Sequence, residues 1–177
     1  RHKGGAQHHR VAERMGKPVE RLRAEGCKRV LVLGDGIGDL TLAVHRAGFE
    51  AAYHDLDDSK TEEFARFRFW NQTNREMPTW NTEGWTPAFG YGEWDAILSF
   101  DFLEHVPNVE EWTAAIFAGL KPGGLFGVQN AFAAGSGPDG SVPCHLAVDE
   151  RVAKDWRPMV VYLGCEAAGG GNGWRKG

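Results

Sequence analysis

At 177 residues with 42% hydrophobic content, the chain fits a single domain with a substantial core. A net charge of −4 and a pI near 6.0 argue against a dedicated nucleic-acid surface, which shows a basic excess. Three scattered cysteines, Cys27, Cys144 and Cys165, exclude a disulfide framework and a paired-cysteine metal site and point to a reducing, cytoplasmic setting; no apolar stretch reaches transmembrane length and none reads as a signal peptide.

Residues 7–25 read as helical, with Val11, Met15, Val19 and Leu22 on one side and a break at Gly16 and Pro18. The run from Arg29 to Leu33 is short, apolar and β-branched, and it flows into Gly34-x-Gly36-x-Gly38. Leu40, Leu42, Ala43 and Ala47 follow at helical spacing, and Gly48 ends the pattern. That predicts a strand at 29–33, a tight glycine turn and a helix over about 38–47. Glycine has no Cβ, so the backbone of such a turn can approach a bound molecule closely. A second strand, about 50–55, ends in His54-Asp55, seventeen residues after Gly38. An acid at that place can accept hydrogen bonds from a ribose, and together these features describe a nucleoside-binding α/β unit.

Ser59-x-x-Glu62 reads as a capping box opening a helix to about Trp70. Its Phe64, Phe67, Phe69 and Trp70 are expected to pack on the sheet. Residues 71–94 carry little periodicity, with Trp80, Trp85 and Trp94 among Pro78, Pro87, Gly90 and Gly92; a strand is expected near 78–82. Asp95 to Phe100 is a clear strand. A helix over about 109–120 follows, capped by Asn108-x-x-Glu111, with Trp112, Ile116, Phe117 and Leu120 inward. Lys121 to Gly124 reads as a turn and Leu125 to Gln129 as a strand. A Gly-, Ser- and Pro-rich loop at 133–143, a helix at 149–163 kinked at Pro158, and a closing hairpin from Cys165 to Arg175 complete the chain.

Strands alternating with helices predict a three-layer αβα sandwich around a mainly parallel sheet of seven strands or slightly fewer. Residues 1–28 form an amino-terminal helical segment and 29–177 a Rossmann-like core, within one domain spanning 1–177. Ligands bind such sheets at the carboxyl ends of the strands, where Gly34, Gly36, Gly38, Asp55 and Asp101 fall.

The glycine spacing separates two nucleoside classes. A dinucleotide fingerprint needs Gly-x-Gly-x-x-Gly. Here the third glycine comes one residue early and Asp39 stands in its place, where it would repel a pyrophosphate from the positive helix end. A nicotinamide-dependent oxidoreductase is therefore a weak reading. The chain instead resembles the class I S-adenosylmethionine-dependent methyltransferases, from about Arg29 to Gly164, on Gly34-x-Gly36-x-Gly38, the following Asp55 and the Leu120-Lys-Pro-Gly-Gly124 turn. The resemblance implies S-adenosylmethionine as cofactor, with contacts at Gly34, Asp35, Gly36, Gly38, Asp55, Leu56 and Asp101. One position departs from the family, which has an acid in strand one that helps hold the cofactor's amino group; this chain has Val32. Two alternatives follow: Asp35, inside the glycine loop, substitutes for it, or the methionine end of the cofactor is held differently.

After the fourth expected strand comes Asp101-Phe-Leu-Glu104-His105. On a helical turn, Asp101, Glu104 and His105 would share one face, a divalent-metal constellation. The block resembles that of the small-RNA 2′-O-methyltransferases and ubiquinone-pathway O-methyltransferases. That resemblance implies Asp101, Glu104, His105 and His145 as ligands to Mg²⁺, Mn²⁺, Fe²⁺ or Zn²⁺, with Asp101 and His105 catalytic. Two alternatives stand beside it: His105 as an unaided general base, or a structural pair with no catalytic role. His2, His8 and His9, near the terminus, are expected to be exposed.

The function expected is methyl transfer to an oxygen of a small molecule or glycan, by a monomer or homodimer. A nucleic-acid acceptor is disfavoured by the acidic balance and a membrane by the lack of an apolar span. The alternative is a non-catalytic S-adenosylmethionine-binding scaffold subunit that keeps the fold.

Overall fold

The computed structural model describes residues 17–55, 57–80, 87–106, 108–129, 165–167 and 173–177. Helix α1 occupies residues 17–24. It is followed by β1 (Arg29–Leu33), α2 (Asp39–Arg46), β2 (Glu50–His54), α3 (Lys60–Thr73), β3 (Trp94–Phe100), α4 (Val109–Gly119), β4 (Leu120–Gln129), β5 (Cys165–Ala167) and β6 (Gly173–Lys176). A single 3-10 turn, Leu103–His105, links β3 to α4.

The described strands form one six-stranded sheet in the order β2-β1-β3-β4-β6-β5. β2, β1, β3 and β4 run parallel, and β6 and β5 close the sheet as an antiparallel hairpin. The expected hairpin and strands are therefore present. Of the strand expected at 78–82, the described residues 78–80 form an isolated parallel bridge of Thr79 to Tyr53, and 81 and 82 lie outside the described residues. There the Tyr53 N–H donates to the Pro78 carbonyl and the Trp80 N–H to the Tyr53 carbonyl, both at 2.8 Å. Pro78 has no N–H to extend the ladder in the other direction.

β1 is buried along almost its whole length because both faces are covered. Side chains alternate across a strand, so its residues divide between two cores. Leu31 and Leu33, with Ile97 and Phe126, pack against Trp112, Ile116 and Phe117 of α4. Val30 and Val32, with Ala96 and Leu98, pack against Leu22 of α1 and Leu40 and Val44 of α2. This produces three layers. Among the described residues no helix is long and apolar enough to cross a membrane.

Two local expectations fail. In α3 only Phe69 of the four aromatics is buried, while Phe64, Phe67 and Trp70 are 49%, 63% and 50% exposed. The helical repeat sets Ala65 and Phe69, four apart, on the inner face, and it carries the other three outward. In α4 the Asn108 side chain does not cap the helix; its amide donates to Glu111 Oε2 at 3.0 Å instead. The capping box of α3 does form, with Ser59 Oγ accepting from the Glu62 N–H at 3.0 Å. Its reciprocal bond is shifted by one residue, the Asp58 N–H donating to Glu62 Oε2 at 2.9 Å.

Candidate functional site

The glycine turn leaves β1 at the carboxyl edge of the sheet. Gly34, Gly36 and Gly38 have φ of 65°, 54° and 77°, left-handed values that side chains other than glycine's rarely tolerate. Gly34 also meets a steric limit. A Cβ placed on it would lie 2.4 Å from Phe102 Cδ2, so the ring that follows β3 rests directly on the turn.

The loop is held from all sides. The Gly34 N–H donates to the His54 carbonyl at 2.8 Å. The Gly36 N–H donates to Asp55 Oδ2 at 2.7 Å, and the Tyr53 hydroxyl donates to the Gly36 carbonyl at 2.7 Å. Arg68 of α3 donates to the Ile37 carbonyl at 3.1 Å and ion-pairs with Asp39. Asp39 thus sits in the first turn of α2, where the helix dipole favours it, with a cation alongside. Arg68, Tyr53 and Phe102 carry no motif, and the sequence offers no signal for them.

Asp35 does something other than the expected substitute role. Its Oδ1 accepts from the Leu40 N–H at 3.0 Å and its Oδ2 from the Thr41 N–H at 2.6 Å. The residue at the start of α2 is Gly38, which has no side chain to cap the helix. Asp35 therefore satisfies helix donors that would otherwise be orphaned, and both its oxygens are engaged by α2. Burial pushes its carboxyl up to about 6, against the bonds from Thr41 and Leu40 that lower it. An acid whose folded pKa is raised binds more protons in the folded state between its unfolded and folded values. Stability then falls as pH rises through that window, here from about 4 to about 6, and levels off above it. Asp35→Asn should flatten this segment of the profile, which urea midpoints measured across the window would show.

His54 is buried against Trp112, Phe89 and Phe102, with ring centroids 5.7, 5.5 and 6.2 Å away. Its Nδ1 lies 2.8 Å from the Trp80 carbonyl, an oxygen that only accepts, so Nδ1 carries the proton. Burial holds this imidazole below its ordinary range. The neutral ring ties the end of β2 to the aromatic layer under Phe102.

Asp101 follows β3 with φ of 53° and is exposed. Such a backbone in a non-glycine residue at a strand end is typical of functional sites. Glu104 is fully buried on the 3-10 turn, and the His105 N–H donates to the Phe102 carbonyl at 2.9 Å. Asp101 thus lies outside the turn that carries Glu104 and His105, and the single helical face expected of the three does not form. Among the described residues no three His, Cys, Asp or Glu side chains are grouped to hold a metal ion. His145 and Leu56 lie outside the described residues.

Gly34 to Gly38, Asp55 and Asp101 therefore occupy the carboxyl ends of β1, β2 and β3, three neighbouring parallel strands. The chain leaves β1 toward β2 on one side and returns at β3 on the other, which makes this the switch point where such sheets bind ligands. The fit to S-adenosylmethionine is good at the nucleoside end, where the turn exposes backbone without Cβ atoms and Asp55 stands beside it. At the amino end Val32 is buried in the apolar core and offers no charge.

The comparisons with known proteins agree with this geometry. A family model described as a methyltransferase domain matches residues 7–164. The fold is similar to that of a putative methyltransferase from Bacillus halodurans C-125, at 17% identity and a TM-score of 0.67, covering 86% of this chain and 68% of that one. It is similar also to magnesium protoporphyrin IX methyltransferase from Synechocystis PCC 6803 with bound SAH, at 16% identity and a TM-score of 0.68, covering 93% and 83%. An O-methyltransferase family protein from Burkholderia thailandensis matches at 17% identity and a TM-score of 0.60, covering 94% and 55%. No curated protein matches the sequence. With its glycine turn at the switch point of a mainly parallel sheet, the chain belongs to the class I, Rossmann-like S-adenosylmethionine-dependent methyltransferase family.

Proposed function

We propose that this chain transfers a methyl group from S-adenosylmethionine to a hydroxyl oxygen of a small molecule or glycan. The observation that carries the reading is the glycine turn. Its three left-handed glycines are locked by Asp55 through the Gly36 N–H, at the edge of the sheet shared with Asp101 and His105. When bound, the cofactor supplies an electrophilic methyl group. The residues of this chain do the rest. Asp55 orients the ribose, and the Cβ-free turn lets the backbone reach the nucleoside. His105, on the turn after β3, accepts the proton of the attacking hydroxyl. Among the described residues Asp101, Glu104 and His105 are not grouped as metal ligands, which favours His105 as an unaided base.

The test is calorimetric titration of the chain with S-adenosylhomocysteine, followed by transfer of labelled methyl groups to hydroxyl acceptors. Asp55→Ala should weaken the nucleoside by roughly tenfold or more, the scale of a hydrogen bond to a charged group. An unchanged affinity would remove Asp55 from the site.

A second reading has a specific observation in its favour. Val32 is buried and carries no charge, and both oxygens of Asp35 accept hydrogen bonds from α2, so the family's strand-one acid has no counterpart in β1. A scaffold subunit that keeps the fold would bind S-adenosylhomocysteine and methylate no acceptor.

A further inference from the structure

A cavity of about 620 Å³ opens at the other end of the sheet from the glycine turn, a size typical of small-molecule sites. Arg29, Glu50 and Trp94, the first residues of β1, β2 and β3, lie on its wall together with Arg75, Trp80 and His45. Beside it, the described segment beyond β2 pairs through one bridge, at Thr79. Tyr53 uses its N–H and carbonyl on that outer edge. Ala51, two residues earlier, presents its own backbone groups to the same edge and lines the cavity, with no backbone partner there among the described residues.

The charges in the cavity are unequal. Arg29 is neutralised, at 3.0 Å from Glu93 and 3.9 Å from Glu50, and it lies over the Trp94 ring at 4.7 Å. The Arg75 guanidinium has no hydrogen bond or ion pair from any described residue. Burial first, and then the nearby Arg75 charge, hold the His45 imidazole below its ordinary range, so His45 adds no positive charge at neutral pH. Arg75 is therefore the lining cation with no counter-charge among the described residues, in the same cavity wall as Trp80, whose indole meets that of Trp94 edge to face at 5.2 Å. Trp94 is fully buried, its ring covered by Arg29 and Trp80; Trp80 is half-buried and its N–H is used by the Ala88 carbonyl, so its ring offers the apolar surface.

We propose that this cavity is a second binding site, separate from the methyl-transfer site, for a planar aromatic monocarboxylate. The carboxylate pairs with Arg75, whose planar fork suits two oxygens. The Ala51 N–H is a further donor on the same wall. The aromatic body lies against Trp80.

Calorimetric titration of the chain with naphthoate, alone and with saturating S-adenosylhomocysteine, tests this. The expected result is one site whose affinity S-adenosylhomocysteine does not change. Arg75→Gln should weaken naphthoate roughly tenfold, the range of one charge-assisted hydrogen bond, with S-adenosylhomocysteine binding retained as the check on folding. Neutral naphthamide should bind the parent chain about as weakly. No binding at millimolar naphthoate would overturn the proposal. So would displacement by S-adenosylhomocysteine, or equal affinities of the Arg75→Gln and parent chains.

Discussion

Gly34→Ala is expected to destabilise the fold by about 2–4 kcal/mol and to abolish S-adenosylhomocysteine binding. Two costs combine at this residue. The backbone at φ of 65° is a left-handed conformation that a Cβ disfavours. The new methyl would also sit 2.4, 2.6 and 2.7 Å from three Phe102 carbons. Phe102 cannot withdraw easily, because its ring packs edge to face on Trp112 at 5.1 Å and on His54 at 6.2 Å. The Gly34 N–H bond to the His54 carbonyl couples any movement of the turn to β2. Urea midpoints measure the stability cost, and the double variant Gly34→Ala/Phe102→Ala separates its parts. Removing the ring relieves the contacts with Cδ2 and Cγ and leaves the contact with the Phe102 Cβ and the backbone strain, so the two changes should be non-additive. Additive costs would show that the Phe102 ring does not press on the turn.

His105→Ala should lower methyl transfer by about 10²–10⁴-fold while leaving S-adenosylhomocysteine affinity within about twofold, since the proposed base touches the acceptor and not the nucleoside. The side chain is partly exposed at the carboxyl edge of β3, so its removal leaves no buried cavity and should barely move the urea midpoint. Added imidazole, or a higher assay pH that raises the acceptor's alkoxide fraction, should restore part of the rate. A chelator should leave the parent rate unchanged. Loss of activity on chelation, restored by a divalent ion, would return Asp101, Glu104 and His105 to the role of ligands and overturn the unaided base. Full activity in His105→Ala would remove the residue from the chemistry altogether.

These two residues mark how far the site can be read from sequence. Gly34, Gly36, Gly38 and Asp55 are legible because their job is local. A strand, a turn and a helix follow one another directly, and an acid ends the next strand. Asp35 is local as well, bonding five and six residues ahead. Its task depends on the path of the glycine turn, which residue types alone do not determine. Phe102, Arg68 and His54 are silent in sequence. Each acts on a partner far along the chain: Phe102 on Gly34, Arg68 on Ile37 and Asp39, His54 on Trp112. The Asp101 block shows the limit of a spacing argument. A helical spacing is present in the residues, but Asp101 adopts a left-handed backbone and the face it would share is never built.

By itself, then, the sequence determined the alternation of strand and helix, the nucleoside turn and the family. All of these rest on periodicity and short-range spacing, which the backbone's few allowed conformations translate almost directly into structure. Tertiary packing decided which aromatics of α3 face the core. It left the described segment beyond β2 with one bridge. It also tied both oxygens of Asp35 to the start of α2. Each of these outcomes compares the burial of one surface with that of a competing surface, and that balance exists only once distant segments have met.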